Sequence, residues 1–215
     1  MATQQELWKK VHNRYAQQSW INRPTVFAEW VQQYFPPHGT ILELGAGQGQ
    51  DTRYFAQLGY SVVSTDFSAE ALEYSRKKMT PEIQLKVTLQ QLDLWQPLPF
   101  STASVDAVYS HLALHYFDDE AMDRIFADIH RVLKPEGSVA ALFNSTDDPE
   151  YRQGEMLENG LILIANGLLK RFFSPETLRE RIRLFTPVVL DNNGESYKDE
   201  SEGVHGLIRF VGKRI

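Results

Sequence analysis

The chain has 215 residues, 42% hydrophobic and 12% aromatic, which is enough for a full hydrophobic core and argues against disorder. Its formal net charge is −6 with acidic and basic residues dispersed, which argues against the basic stripe of a protein that binds DNA or RNA backbone. Cysteine is absent, so disulfides, thiolate metal sites, iron–sulfur clusters and cysteine nucleophiles are excluded.

The first predicted elements are one or two helices within residues 4–35. Apolar side chains recur there at helical spacing, Asn22-Arg23-Pro24 interrupts the pattern, and Pro36-Pro37 ends it. The N-terminus lacks the apolar core of a signal peptide. No apolar run in the chain approaches the roughly eighteen residues of a membrane span. We therefore expect a cytoplasmic protein without a membrane partner.

A buried strand over Thr40–Leu44 leads directly into Gly45-x-Gly47-x-Gly49, and an amphipathic helix follows. Closely spaced glycines after a strand indicate a tight turn that a nucleotide-like ligand approaches closely, although plain packing also explains such a turn. A dinucleotide fingerprint requires a third glycine one residue later, where this chain has Gln50. The spacing therefore argues against a pyrophosphate ligand.

The second predicted strand, Ser61–Thr65, ends in Asp66, about twenty residues beyond the first glycine. A carboxylate at this point accepts hydrogen bonds from both ribose hydroxyls of a nucleotide-like ligand. The alternative is that Asp66 caps the helix predicted over Ser68–Lys78. Ser68 is the better cap, because it directly precedes the helical pattern. We therefore predict that Asp66 binds ribose.

Three further strands follow, at Leu85–Leu92, Val105–Ser110 and Ser138–Phe143. A long amphipathic helix that contains Ile125, Phe126, Ile129 and Val132 separates the last two of these strands. Strands that alternate with helices predict βαβ units, a parallel sheet and right-handed crossovers.

Five segments in this order, ELGAGQG, the strand tip at Asp66, LDLWQPLPF, SVDAVYSHLALHYF and RVLKPEGSVAALF, resemble motifs I, post-I, II, post-II and III of small class I methyltransferases that use S-adenosylmethionine. The resemblance covers residues 40–145. It implies an α/β, Rossmann-like, doubly wound sheet of seven strands, with the last strand antiparallel. Thr186–Leu190 and Leu207–Gly212 would supply strands six and seven. We expect a single domain over residues 1–215, with an N-terminal helical segment at 1–39 and an insertion at 144–173.

The resemblance also assigns residues to the cofactor. Glu43 supports the glycine loop and the amino group, Asp66 holds the ribose, and the loop backbone meets the methionine portion. Phe67 flanks adenine, unless it is simply a core residue, while the Asp93 side chain and the Leu94 backbone bind the adenine edge. The full set of predicted cofactor-binding residues is Glu43, Gly45, Ala46, Gly47, Gly49, Asp66, Phe67, Asp93, Leu94 and His111.

The acceptor side begins after the fourth strand, where the chain has Ser110-His111-Leu112-Ala113. Enzymes that methylate amides or exocyclic base amines often carry N-P-P-Y or D-P-P-Y there, so such acceptors are disfavoured. His111 is the candidate general base, and a histidine that only lines the cofactor pocket is the alternative. His115 is expected to pack in its apolar run. The two histidines have no visible third ligand, so no metal is predicted.

Candidates for a lid over the cofactor are Tyr15 and Trp20, for which packing against the sheet edge is an equal alternative. Asn144 and the Arg171-Phe172-Phe173 segment are candidates for the acceptor pocket, and ordinary loop packing explains them equally well.

The function predicted on these grounds is methyl transfer from S-adenosylmethionine to a small-molecule O, N or S acceptor, without a nucleic-acid partner. One alternative is a regulatory protein that binds S-adenosylmethionine without turnover. Another is a dinucleotide-dependent oxidoreductase, against which Gln50 argues.

Overall fold

The computed structural model describes residues 4–15, 18–157, 161–165, 167–196 and 204–215. Its α-helices, in chain order, are α1 (Gln4–Tyr15), α2 (Val26–Val31), α3 (Gln50–Gln57), α4 (Ala69–Lys77), α5 (Pro81–Gln84), α6 (Asp119–Val132), α7 (Pro149–Gln153) and α8 (Pro175–Arg181). Short 3₁₀ turns occupy Ser19–Asn22, Gln32–Tyr34 and Leu114–Tyr116. Its strands are β1 (Thr40–Leu44), β2 (Ser61–Asp66), β3 (Val87–Gln91), β4 (Val105–His111), β5 (Leu133–Phe143), β6 (Glu155–Met156), β7 (Ile162–Leu163), β8 (Leu169–Lys170), β9 (Phe185–Glu195) and β10 (His205–Arg214).

Seven strands form one sheet in the order β3-β2-β1-β4-β5-β10-β9. The pairs β1–β2, β2–β3, β1–β4 and β4–β5 are parallel, whereas β10 is antiparallel to both β5 and β9. The strand order reverses between β1 and β4, and open α/β sheets bind ligands at such a reversal. The predicted fold, with an antiparallel last strand, is confirmed.

Both faces of the sheet are covered, which explains why its central strands are almost continuously apolar. One face packs against α6 through Ile125, Phe126 and Ile129. The other packs against α2 and α3 through Phe27 and Phe55. Because the sheet is held on both sides, the carboxyl ends of β1, β2 and β4 provide a rigid edge for a site.

The structure differs from the prediction at the start of β5 and in the C-terminal hairpin. β5 begins at Leu133, which pairs with Val105, whereas the strand was predicted to begin at Ser138. A register shift after Val105 accommodates the additional residues. β9 continues to Glu195, five residues beyond the strand predicted over Thr186–Leu190. A bidentate ion pair between Arg209 and Asp191, with N–O distances of 2.8 and 2.7 Å, joins the two strands there.

The segment at 144–173 contains α7 and a small antiparallel sheet of β6, β7 and β8. Its apolar residues Ile162, Ile164 and Leu168 form a hydrophobic cluster with Val11 of α1. The N-terminal helix and this segment therefore pack against each other. None of the helices within the described ranges is long and apolar enough to span a membrane.

Candidate active site

A cavity of about 1000 Å³ opens at the carboxyl ends of β1, β2, β4 and β5 and is covered by α1 and the 144–173 segment. The predicted residues that line it are Tyr15, Trp20, Glu43, Gly45, Ala46, Gly47, Asp66, Phe67, Asp93, Leu94, His111 and Asn144. Four predicted site residues, Gly49, Arg171, Phe172 and Phe173, are not among the residues that line it. The cavity therefore brings together most of the residues assigned from the sequence.

The glycine loop follows β1 and is held by backbone hydrogen bonds. Ala46 N donates to the Thr65 carbonyl of β2 at 2.8 Å. Gly45 has a φ of +74°, and a Cβ there would lie 2.2 Å from the Ala113 Cβ, so only glycine allows the loop to approach the segment after β4. At Gly49 a Cβ would instead meet Ser75 Oγ of α4 at 1.9 Å. Helix packing thus accounts for Gly49.

Asp66 lies at the end of β2 and supports the glycine loop. Its Oδ2 accepts from Gly47 N at 2.7 Å, and its Oδ1 accepts from Ser68 N at 2.8 Å. Ser68 is the cap of α4, since its hydroxyl accepts from Ala71 N at 3.1 Å. Asp66 is therefore not the helix cap. Each of its oxygens keeps a lone pair that can accept a ligand hydroxyl.

Glu43 is buried at the end of β1, where it accepts a short hydrogen bond from the Thr52 hydroxyl. Thr52 in turn shares a hydrogen bond of 2.8 Å with Ser64 of β2. Burial, reinforced by the nearby charge of Asp51, raises the pKa of Glu43 well above its usual range. A cationic group in the cavity would therefore be stabilised by Glu43 and would favour its ionised form.

Sequence analysis missed Asp51, which is buried in the first turn of α3 and lines the cavity. Its carboxylate accepts from Thr25 N at 2.7 Å, from the Thr25 hydroxyl at 2.9 Å and from the Tyr109 hydroxyl at 2.7 Å. Asp51 thereby joins α2, α3 and β4 behind the glycine loop. Its position two residues after Gly49 was the one available signal.

Sequence analysis also missed Trp8 and His12 of α1, both of which line the cavity with Tyr15. The His12 carbonyl accepts from Gln48 Nε2 at 2.7 Å, and Trp8 packs edge-on against Tyr116 at 4.8 Å. Burial lowers the pKa of His12, and Asp66 opposes that shift. The three residues recur at helical spacing, which was the signal in the sequence. Helix α1 thus covers the cavity with aromatic side chains.

The adenine-side candidates lie at the ends of β2 and β3. Phe67 is half-buried at the cavity and belongs to neither core cluster of the sheet, so core packing does not explain it. Asp93 Oδ1 accepts from Trp95 N at 2.9 Å, which fixes the carboxylate at the cavity wall. Leu94 is a core residue that also lines the cavity.

The opposite wall carries His111, His115 and Asn144. His111 ends β4, and the next residue, Leu112, has a φ of +54°, a conformation that costs a non-glycine residue strain and turns the chain sharply. Burial lowers the pKa of His111 and lowers that of His115 well below its usual range. Both imidazoles are therefore neutral at neutral pH. Within the described ranges, no cluster of three His, Cys, Asp or Glu residues is arranged to bind a metal ion.

These features fit S-adenosylmethionine. Glu43, Asp66, Phe67 and Asp93 would hold it. Glu43 and Asp66 place carboxyl groups near the positive charge and the ribose hydroxyls of such a ligand. The ring nitrogen Nδ1 of His12 is buried and has no hydrogen-bond partner in the described structure. Such a group favours a ligand that can pair with it.

Comparisons with known proteins agree with this geometry. Residues 41–137 match a family described as a methyltransferase domain. The malonyl-[acyl-carrier protein] O-methyltransferase of Pectobacterium atrosepticum is 31% identical over 100 residues, which cover 46% of this chain and 36% of that protein. The alignments span only 36%, 47% and 46% of the length of three such curated relatives.

Two solved structures share the fold. An S-adenosylmethionine-dependent methyltransferase from Methanosarcina mazei superposes with a TM-score of 0.72 at 20% identity, covering 86% of this chain and 97% of that one. The 1,6-didemethyltoxoflavin N1-methyltransferase of Burkholderia thailandensis, solved with its substrate and S-adenosylhomocysteine, has a TM-score of 0.71 at 20% identity and covers 96% and 83%. Residues 41–137 thus match a methyltransferase domain, and the predicted Rossmann-like fold is shared with these two structures.

Proposed function

We propose that this chain, whose residues 41–137 form a methyltransferase domain, transfers the methyl group of S-adenosylmethionine to a small-molecule O, N or S acceptor. The observation that carries this proposal is that one cavity joins two chemically different walls. Glu43 and Asp66 line the wall suited to the cofactor, while His111 and Asn144 line the wall suited to an acceptor.

S-adenosylmethionine supplies a methyl group on a positively charged sulfur, which leaves as a neutral thioether. The acceptor lone pair forms the new bond to the methyl carbon, the carbon–sulfur electron pair stays on sulfur, and any acceptor proton passes to a base or to water. The protein must align the two partners and exclude water. The cover provided by α1 and the 144–173 segment serves this purpose.

His111 is our candidate for the base. It directly follows the buried part of β4, its Nε2 has no hydrogen-bond partner among the described residues, and burial keeps it neutral and able to accept a proton. Asp66 and Asp93 act on the cofactor, since they lie at the tips of β2 and β3 on the far side of the glycine loop.

A small acceptor suits both the cavity and the charge of the chain. A cavity of about 1000 Å³ accommodates S-adenosylmethionine and one further small molecule. The net charge of −6 disfavours a nucleic-acid backbone.

Product formation tests the proposal. The protein would be incubated with S-adenosylmethionine and a panel of phenols, carboxylic acids, amines, N–H heterocycles and thiols, with mass spectrometry of S-adenosylhomocysteine and methylated product. Gly47→Val is the matched inactive control, because a branched side chain at a φ of +54° distorts the loop. We expect methylated product from one acceptor class. Binding of the cofactor without product from any class would favour a regulatory protein.

A further inference from the structure

The cavity contains a cluster of buried polar groups without protein partners. Both ring nitrogens of His115, Nε2 of His111 and Nδ2 of Asn144 have no hydrogen-bond partner within the part of the chain that the structure describes. His115 is 1% exposed and Asn144 is 5% exposed. Leaving a buried polar group unpaired is costly, so such groups are ordinarily paired in folded proteins. Four such atoms, on three side chains of one cavity wall, indicate a ligand that supplies the missing partners.

These side chains lie on a well-defined frame. His111 pairs with Leu142 across the parallel strands β4 and β5, and Asn144 follows Leu142 by two residues, so both lie at the same sheet edge. The His115 carbonyl accepts from Arg171 N at 2.7 Å, and the Asn144 carbonyl accepts from Phe173 N at 3.0 Å. The segment 171–173 therefore holds the backbone of both His115 and Asn144 in place.

The hydrogen-bonding capacity of the cluster is mixed and uncharged. Each neutral imidazole offers one N–H donor and one nitrogen acceptor, and the Asn144 amide adds N–H donors. The neighbouring cation, Lys170, is neutralised by Glu150, whose Oε2 lies 2.7 Å from Lys170 Nζ. The cluster therefore complements a ligand that both donates and accepts hydrogen bonds and carries no net charge.

Aromatic side chains bound the same space. Trp8 and Tyr116 meet edge to face at 4.8 Å, and Tyr15 and Trp20 meet at 5.2 Å. All four line the cavity. Aromatic rings that meet edge to face leave flat surfaces, which favour a planar ligand.

We propose that His111, His115 and Asn144 form the acceptor subsite, and that the acceptor is a neutral, planar molecule with an O–H or N–H group next to a carbonyl oxygen. The imidazoles accept the O–H or N–H hydrogen, and the Asn144 amide donates to the carbonyl. This inference rests on the proposed function.

Binding of simple probes tests the subsite without turnover. The protein loaded with S-adenosylhomocysteine would be titrated with salicylamide, which has the hydroxyl beside the carbonyl, with methyl 2-methoxybenzoate, which keeps a carbonyl but has no O–H or N–H donor, and with the cation tyramine. Ligand-observed NMR gives the affinities, and long-range ¹H–¹⁵N spectra report the histidine ring nitrogens. We expect salicylamide to bind about 3–10-fold more tightly than the other two probes, the scale of one hydrogen bond, and to shift the His115 nitrogens.

Variants locate the site. His115→Phe and Asn144→Leu should each weaken salicylamide about 3–10-fold while S-adenosylhomocysteine still binds. His115→Asn keeps a hydrogen-bonding side chain and serves where the phenylalanine variant fails to fold. His130→Asn, on α6 outside the cavity, is the matched control and should leave the affinity unchanged.

The outcomes are distinct. Binding of S-adenosylhomocysteine without discrimination among the three probes, or with His115 unshifted, overturns the subsite and leaves the proposed function standing. Failure to bind S-adenosylhomocysteine overturns the proposed function itself.

Discussion

His12 Nε2 lies 3.9 Å from Asp66 Oδ1, so the N-terminal helix meets the carboxylate at the end of β2. The backbone carbonyl of His12 accepts a hydrogen bond from the side-chain amide Nε2 of Gln48, in the glycine loop, at 2.7 Å. Two residues separated by more than fifty positions thus close the cavity over the site where we place the ribose. We therefore propose that helix α1 contributes to the cofactor site as well as covering the sheet edge.

We predict that His12 Nδ1, which has no hydrogen-bond partner among the described residues, bonds the cofactor, and that His12→Ala accelerates dissociation of S-adenosylhomocysteine by about 3–10-fold, the effect of losing that one hydrogen bond. Stopped-flow displacement would measure the rate. Asn13→Ala is the control, because Asn13 is exposed on the same helix and its Oδ1 accepts from the Tyr74 hydroxyl at 3.3 Å. Equal dissociation rates in His12→Ala and the parent protein would mean that α1 does not retain the cofactor.

Asp66→Ala should weaken cofactor binding by about 1.5–3 kcal/mol, the scale of hydrogen bonds to a charged group. The loop also loses the acceptor for Gly47 N, so some loss of stability is expected. Calorimetry gives the affinity and thermal unfolding gives the stability. If Asp66→Ala lowers the melting temperature while S-adenosylhomocysteine protects it as it protects the parent, the carboxylate is purely structural.

Binding of S-adenosylmethionine should release a proton from Glu43. Burial and Asp51 raise the pKa of Glu43 in the free protein, so its protonated form is favoured there. A cation in the cavity lowers that pKa again, so affinity rises with pH, by at most about tenfold per unit, until it levels off above the pKa of the free protein.

Calorimetry in buffers of different ionisation enthalpy would detect this proton as a slope in the observed heat. Glu43→Gln should remove the slope, and S-adenosylhomocysteine, which lacks the sulfonium charge, should give a smaller one. A slope that persists unchanged in Glu43→Gln would assign the proton to another group.

If His111 acts as the general base, His111→Asn should lower kcat by about 10²- to 10⁴-fold and leave the affinity for S-adenosylhomocysteine nearly unchanged. Because burial lowers the pKa of His111, its imidazole becomes protonated, and unable to accept a proton, only at acid pH. The acidic limb of the pH–rate profile should therefore disappear in the variant. Steady-state kinetics from pH 5 to 9 with an identified acceptor would measure these effects. Unchanged turnover would leave His111 as a wall of the cavity, with catalysis by alignment alone.

The sheet and the cofactor side were predictable because their signals are local. The glycine loop, the acid at the tip of β2 and the apolar strands each follow from residues close together in the chain. Sequence alone also placed Ser68 correctly as the cap of α4, which left Asp66 free for another role.

The cover of the site was less predictable because tertiary packing determines it. Trp8 and His12 lie on the correct face of α1, but nothing local indicates that this helix crosses the glycine loop. Phe172, a predicted acceptor-pocket residue, instead packs against Tyr151 at 5.6 Å in the cluster beneath α1. His115 is buried as expected, yet its unpaired nitrogens at the cavity appear only once the chain is folded.

The most direct test of the account is a pair of calorimetric titrations of the intact chain, one with S-adenosylhomocysteine and one with NAD. We predict a dissociation constant on the order of micromolar for S-adenosylhomocysteine, about −8 kcal/mol, and no measurable heat from NAD. Binding of NAD without binding of S-adenosylhomocysteine would contradict the proposed methyl transfer and the assignment of the cavity.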